Sequence, residues 1–179
     1  MGRVPNKFGQ TFGEPDPGDY DFIIERPSYN DDMQSGSILA KVTGGDGDGL
    51  GLFDNYPMGF KVDEISGKEK RGKYGVPFGV QKLAALIDAT GLENIDIVDD
   101  DYEENLKKYY HQLWGKLRGK DAVMGLLTKL EGRMFHGKVE QRKDAKDKVN
   151  ITEYARVGEV GGVSEVKNQT QQSETGKSW

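Results

Sequence analysis

Alternating hydrophobic and polar residues predict three short strands in the first third of the chain. They span 19–26, 37–43 and 50–58. In the first of them Tyr20, Phe22 and Ile24 fall on one side, as in a strand with one buried face. The glycine- and aspartate-rich run 44–49 predicts the hairpin loop between the second and third strands. The side chains predicted to be buried, each costing about 2–5 kcal/mol on truncation to alanine, are Tyr20, Phe22, Ile24, Leu39 and Leu52.

The hydrophobic period then lengthens from two residues to between three and four, which predicts helices. Three apolar stripes have this spacing within one predicted insert, 79–131: they are 80–87, 106–117 and 123–130. Strand patterns return on either side of a polar turn, at 133–142 and 148–157. Three strands, a helix and two more strands is the order of an OB fold, a five-stranded barrel that binds oligonucleotides. The predicted fold class is therefore mainly β with an α insert (α+β): a five-stranded antiparallel OB-like barrel with helices between strands three and four.

The two ends of the chain differ from its middle. Residues 1–18, rich in glycine, proline and asparagine, predict a flexible arm, and 158–179 predict a disordered tail. One folded domain, 19–157, is expected between them. No run of residues is long and apolar enough to span a membrane, so a cytoplasmic protein is expected. The chain has no cysteine, which excludes disulfides, thiolate zinc sites and cysteine nucleophiles.

The net charge of −5 is unevenly distributed. Residues 1–60 carry four basic and ten acidic residues, and 93–104 carry seven acidic residues and no basic one. Residues 105–148, in contrast, carry twelve basic and five acidic residues. Such a protein can present a basic groove to a nucleic acid, while its acidic regions discourage indiscriminate binding of polyanions. Ordinary solvated faces are the alternative interpretation of the same pattern.

Motifs for catalysis or metal binding are incomplete. A calcium loop beginning at Asp46 would need an oxygen ligand and a glutamate where Leu50 and Pro57 stand. The consecutive carboxylates of 99–101 do not converge on one point in a helix or a strand, so a magnesium site of nuclease type is disfavoured. The two histidines have no metal-ligand spacing. We therefore expect no enzyme and no cofactor, with a metal-dependent nuclease as the least favoured class of function.

Basic residues interleaved with aromatic ones are the candidate functional feature. Sequence-tolerant binding of single strands needs rings on which bases stack, for about 1–3 kcal/mol each, and cations that track the phosphates. The cations predicted to contact DNA follow strand three or lie on and beside strand four: Lys61, Lys68, Lys70, Arg71, Lys73, Arg133, Lys138, Arg142 and Lys143. The rings predicted to receive bases are Tyr56, Phe60 and Tyr74. The rings predicted to be core instead are Tyr20, Phe22, Phe53 and Phe135.

Several short motifs also occur in the order and spacing of a known family. They are Gly18, Tyr20 and Ile24 in the first strand, the segment 52–55, the helix 82–87 before Gly91, Leu130 with Gly132 and Phe135, and the closing segment 150–154. With these motifs, 18–157 resembles a phage single-stranded-DNA-binding-like family of OB-fold type, described as a domain of unknown function and found with phage replication and recombination genes. The resemblance implies an OB-like fold and single-stranded-DNA binding, in the host cytoplasm if the chain is phage-encoded.

The resemblance also suggests a role for the end of the chain. Single-strand binders of phages and bacteria often end in an acidic tail with a terminal aromatic residue that recruits partners; the segment 173–178 is hardly acidic, but the terminal aromatic residue is present. Trp179 is by this resemblance the candidate contact for phage or host replication and recombination proteins. The function expected from the whole sequence is non-catalytic, largely sequence-independent binding of single-stranded DNA in replication or recombination. The alternative is a protein-interaction or recombination-accessory module, which the acidic first third and the helical insert would suit.

Overall fold

The computed structural model of the protein describes residues 13–158. Its elements are β1 (Gly18–Asn30), β2 (Ser35–Val42), β3 (Gly51–Pro57), β4 (Lys61–Val62), β5 (Glu69–Lys70), α1 (Phe78–Ala89), α2 (Tyr102–Lys116), α3 (Lys120–Leu130), β6 (Met134–Gln141) and β7 (Val149–Ala155). The predicted α+β class, with its helices between the third and fourth long strands, is confirmed. The first twelve residues of the predicted arm and the tail 159–179, including Trp179, lie outside the described residues. No helix within 13–158 is long and apolar enough to cross a membrane.

The five long strands form one antiparallel sheet in the order β3-β2-β1-β6-β7, and β4 pairs with β5 in a separate small hairpin. β1 is the central strand: it pairs with β2 along one edge and with β6 along the other. The ladder of main-chain hydrogen bonds ends at β3 on one side and β7 on the other. The sheet is therefore not closed into a barrel, although every pairing in the described chain is antiparallel as expected.

Side chains join the two edge strands where main-chain hydrogen bonds do not. Asp54 of β3, which is only 3% exposed, accepts a hydrogen bond from the Tyr154 hydroxyl of β7. Lys82 of α1 lies 2.6 Å from Asp54 Oδ1 and also donates to the Asn55 carbonyl oxygen at 2.8 Å. Burial, and then the charge of Asp54, raises the pKa of Tyr154 well above its usual value, so this hydroxyl stays a donor. A buried polar cluster thus links β3, β7 and α1.

The core lies between the inner face of the sheet and the helices α1 and α3. Phe22, Ile24 and Leu52 are buried, as predicted. The rings of Phe22 and Phe135 stack from adjacent strands with centroids 5.3 Å apart. Gly137 makes room for this pair, since a Cβ atom at that position would lie 2.8 Å from the Phe22 ring. Phe22 and Phe135 are therefore core rings, in agreement with the prediction.

Two other predicted core residues are only partly buried. Leu39 lies on the outer face of the sheet, because Ile38, Ala40 and Val42 supply the inward side chains of β2. In the apolar run of this strand a shift of one residue exchanges the two faces, so the pattern left the choice open. Tyr20 is half-buried, and its hydroxyl donates to the Asp16 carbonyl oxygen at 2.6 Å.

The chain just before β1 packs on the sheet. The Gly51 N–H donates to the Gly13 carbonyl oxygen at 3.0 Å, and Pro15 is buried. The prediction of a flexible arm is therefore wrong for residues 13–17. A main-chain hydrogen bond to β3 and a buried proline hold this segment in place, and neither feature has a periodic sequence signal.

β1 continues four residues past its predicted end. The pairing of β1 with β2 shifts register between Glu25 and Ser28, where Arg26 has a left-handed backbone (φ +52°) and Pro27 has no N–H to donate. A β-bulge of this kind lets a strand pass a proline and re-aims the side chains beside it. Arg26 consequently lies exposed beside the outer face of the sheet.

Candidate nucleic-acid interface

The predicted DNA-binding residues fall on three separate parts of the fold. The first is the connection 58–77 with its small hairpin, which carries Lys61, Lys68, Lys70, Arg71 and Lys73. The second is β6, which carries Lys138 and follows Arg133 directly. The third is the turn 142–148 between β6 and β7, which begins with Arg142 and Lys143.

Most of the predicted cations that have no ion-pair partner within residues 13–158 lie in the hairpin. Lys61, Lys68 and Lys70 are exposed, and none of them forms an ion pair within residues 13–158. Arg71 differs, because its guanidinium group contacts Glu69 Oε1 at 2.7 Å and lies 4.2 Å over the centre of the Phe60 ring. The three lysines are therefore the cations here that a phosphate can engage without displacing a carboxylate.

Lys73 and Tyr74 have partners on α2. Lys73 Nζ lies 2.5 Å from a carboxylate oxygen of Glu103, and the Tyr74 hydroxyl donates to the same oxygen at 3.1 Å. The hydrogen bond to Glu103 is the main reason why the pKa of Lys73 is raised. The half-buried Tyr74 ring also meets Tyr110 edge to face at 5.1 Å. These contacts attach the loop to α2, so a phosphate that bound Lys73 would compete with Glu103 and a base would reach only the open part of the Tyr74 ring.

Lys138 stands among acidic residues on the outer face of β1, β6 and β7. Its Nζ lies 3.3 Å from Glu140 and 3.7 Å from Glu153, and it pairs across the sheet with Asp19. The hydrogen bond to Glu140, followed by the charge of Glu140 and then that of Glu153, raises the pKa of Lys138. This part of the sheet is acidic, so the placement of Lys138 in a basic groove is wrong.

Arg133 and Arg142 lie at opposite ends of β6 and cannot line one groove as predicted. Arg142 lies nine residue steps along an extended chain from Arg133, roughly 30 Å at 3.3–3.4 Å per residue. Arg133 instead donates to the Thr90 carbonyl oxygen just past α1, at 3.4 Å. Only the Arg142 end of β6 therefore belongs to the same region as the hairpin.

The fold does bring the hairpin and the turn 142–148 together. Arg142 contacts Asp144 through two hydrogen bonds of 2.9 and 2.6 Å. The hydrogen bond from Arg142 is the main reason why the pKa of Asp144 is lowered, and the charge of Lys61 lowers it further. Lys61 of the hairpin and Arg142 of the turn thus both act on the Asp144 carboxylate, and Lys143, which follows Arg142, is exposed.

The rings predicted to receive bases are mostly occupied. Tyr56 is fully buried in the core at 0% exposure, so the prediction that it stacks on DNA is wrong. In β3 the side chains of Leu52, Asp54 and Tyr56 point inward, and the strand alternates strictly. Phe60 is half-buried and packs edge to face against Trp114 of α2, with ring centroids 5.6 Å apart.

The alternation of β3 places the Phe53 ring on the outer face of the sheet, where it is 61% exposed. It lies on the outer face of β1, β2 and β3, in a groove whose other lining side chains include Arg26, Leu39 and Lys41. We call Arg26, Leu39, Lys41 and Phe53 the outer-face patch. The sequence analysis predicts Phe53 to be a core ring, and the structure shows that this is wrong. Strand alternation places Phe53 on the face opposite the buried Leu52.

The outer-face patch borders the basic region just described. Glu14 lines the same groove, and its charge contributes to raising the pKa of Arg142, an increase that comes mainly from the hydrogen bond to Asp144. Lys41 lies at the limit of ion-pairing distance, 4.0 Å, from Glu25, and both side chains are exposed. The patch, through Glu14, and the hairpin, through Lys61, are thus each within electrostatic range of the turn 142–148.

The two histidine- and acid-containing features to consider within residues 13–158 are a His–Asp pair and possible metal ligands. His136 Nδ1 lies 2.8 Å from Asp21 Oδ1, and this pair sits on the acidic face with Asp19. Among residues 13–158, no three histidine or acidic side chains are placed to hold a metal ion together. Neither a protein-family model nor a curated protein sequence matches the chain, so the phage-family resemblance stays a prediction.

Proposed function

We propose that this chain is a non-catalytic single-stranded-DNA-binding protein, acting in phage DNA replication or recombination, and that the strand crosses the outer-face patch. The observation that carries the proposal is Phe53: a large aromatic ring, mostly exposed on a sheet face beside Arg26 and Lys41. A folded protein gains nothing for its own stability from exposing such a ring. A base stacked on it would bury the ring, and the flanking cations would meet the phosphates.

The strand order supports an OB-type fold as part of this proposal. In an OB fold the first strand pairs with the second and the fourth, and the third and fifth strands face each other. Here β1 pairs with β2 and β6, and the edges β3 and β7 are bridged by Tyr154 and Asp54. In such folds the face of strands two and three binds oligonucleotides, together with neighbouring loops. The outer-face patch occupies the corresponding place.

The charge distribution favours one side of the sheet. The face of β1, β6 and β7 carries Asp19, Asp21, Glu140 and Glu153 around Lys138 and would repel a phosphate backbone. In the hairpin Lys61, Lys68 and Lys70, and in the turn Lys143, form no ion pair with any residue of 13–158. A polyanion is therefore directed away from the acidic face and toward the hairpin and the turn 142–148, even though the net charge of the chain is −5.

Single strands rather than duplexes fit the proposed surface, because a base must leave its stack to reach Phe53. We expect the protein to bind a fluorescently labelled oligo-dT strand and to bind the matching duplex much more weakly, as measured by fluorescence anisotropy at several salt concentrations. Equal binding to both would indicate a purely electrostatic interaction. Failure to bind either would favour the alternative, a protein-interaction module of recombination.

The salt dependence of binding tests the role of the hairpin lysines. Replacing Lys68 and Lys70 with alanine should flatten the plot of log affinity against log salt by about 0.7 for each phosphate that the variant no longer neutralises. Lys138→Ala is the matched control, since its ammonium group is already held by Glu140 and Glu153. A double variant with the slope of the parent would remove the hairpin from the binding surface.

A further inference from the structure

Trp114, at the end of α2, belongs to a row of alternating cations and rings. The guanidinium group of Arg118 lies over its indole, with Cζ 4.4 Å from the ring centre. The indole meets Phe60 edge to face at an interplanar angle of 88°, and Arg71 covers Phe60 in turn. The row Arg71–Phe60–Trp114–Arg118 therefore joins the hairpin connection to the turn between α2 and α3.

The two arginines at the ends of this row differ in one respect. Arg71 is held in place by Glu69, which accepts hydrogen bonds from both its Nε and its Nη2. Arg118 is exposed, and within residues 13–158 no carboxylate or carbonyl oxygen accepts a hydrogen bond from it. The Arg118 guanidinium can therefore leave the indole face without breaking an ion pair.

A planar guanidinium group over an indole marks a surface that a nucleobase can occupy. A guanidinium group and a nucleobase are both flat, and both interact favourably with the face of an aromatic ring. A guanidinium group that leaves the ring can bind a phosphate instead, where its paired N–H groups match the oxygens. Phe60 directly precedes Lys61, so the row begins where the basic hairpin begins.

We infer that Trp114 is a second stacking platform for the same DNA strand. This inference rests on the proposed single-strand binding. A base replaces the Arg118 guanidinium group on the indole, and Arg118 moves to a neighbouring phosphate. The bound strand thus continues from Phe53 past the hairpin to the end of α2. The helical insert, which otherwise only supports the sheet, becomes part of the binding site.

The fluorescence of Trp114 tests this inference directly. The chain has two tryptophans, so Trp179→Phe leaves Trp114 as the sole tryptophan emitter. We expect its emission to be quenched on titration with an oligo-dT strand, saturating at the same concentration as the anisotropy of the labelled strand. A matching duplex should leave the emission unchanged. Binding by anisotropy with constant Trp114 emission would overturn the inference and leave the proposed function intact, whereas absence of binding would overturn both.

A pair of charge variants tests whether Arg118 binds a phosphate of the strand. Arg118→Ala should flatten the salt dependence by about 0.7 in log–log slope, because one phosphate is no longer neutralised. Lys129→Ala, at an exposed position of α3, is the control and should keep the slope of the parent. If Arg118→Ala behaves like Lys129→Ala, the guanidinium group does not bind a phosphate and the inference is wrong.

Discussion

Lys82→Met should lower the free energy of unfolding by about 3–5 kcal/mol, measured by urea denaturation at neutral pH. Asp54 is 3% exposed and the Lys82 side chain is 15% exposed, so the two charges meet largely out of water. Methionine has similar length and lacks the ammonium group, which leaves the Asp54 carboxylate buried with the Tyr154 hydroxyl as its only side-chain partner in the described structure. An uncompensated buried charge is among the most destabilising single changes.

Two further variants show whether burial of the charge is the cause. Asp54→Asn combined with Lys82→Met removes both charges and should be more stable than Lys82→Met alone. Lys138→Met breaks ion pairs of an exposed lysine and should change stability by no more than about 1 kcal/mol. A Lys82→Met protein as stable as Lys138→Met would show that the cluster does not hold α1 to the edges of the sheet.

Phe53→Ala should weaken binding of single-stranded DNA by about 1–3 kcal/mol, roughly 5- to 150-fold. The ring contributes stacking and no charge, so the slope of log affinity against log salt should stay that of the parent. The fold should be nearly unaffected, because the ring is already 61% exposed. Anisotropy titrations at three salt concentrations, with a urea denaturation of the same sample, measure all three quantities.

Phe78→Ala is the matched control for this variant. The Phe78 ring is 63% exposed, but it lies at the start of α1 and outside the outer-face patch. The Phe78→Ala variant should bind DNA with the affinity of the parent. Equal affinities of Phe53→Ala, Phe78→Ala and the parent would exclude the outer face as the platform for bases and would direct attention to a protein partner.

The candidate site was only partly predictable from the sequence. The free lysines of the hairpin, Lys61, Lys68 and Lys70, were recognised because a charged, glycine-containing loop is a local feature. The ion pairs of Lys73 and Lys138 are not visible in the sequence, because the carboxylates belong to distant segments: Glu103 lies 30 residues beyond Lys73 in the chain, and Glu153 lies on the neighbouring strand. The proposed platform Trp114 has no local signal in the sequence either, since its ring partner Phe60 meets it only through the packing of the hairpin connection on α2.

The sequence by itself determined the order and type of the main elements, because periods of two and of 3.6 residues are local properties of the chain. It also determined the core pair Phe22 and Phe135 and the polar turn between β6 and β7. In β3, strict alternation from the buried Leu52 already implies an inward Tyr56 and an outward Phe53, whereas only the tertiary structure decided which face of β2 points inward, and with it the exposure of Leu39. A shift of one residue exchanges the two faces of a strand, and the packing of α1 and α3 against one of them settles the choice.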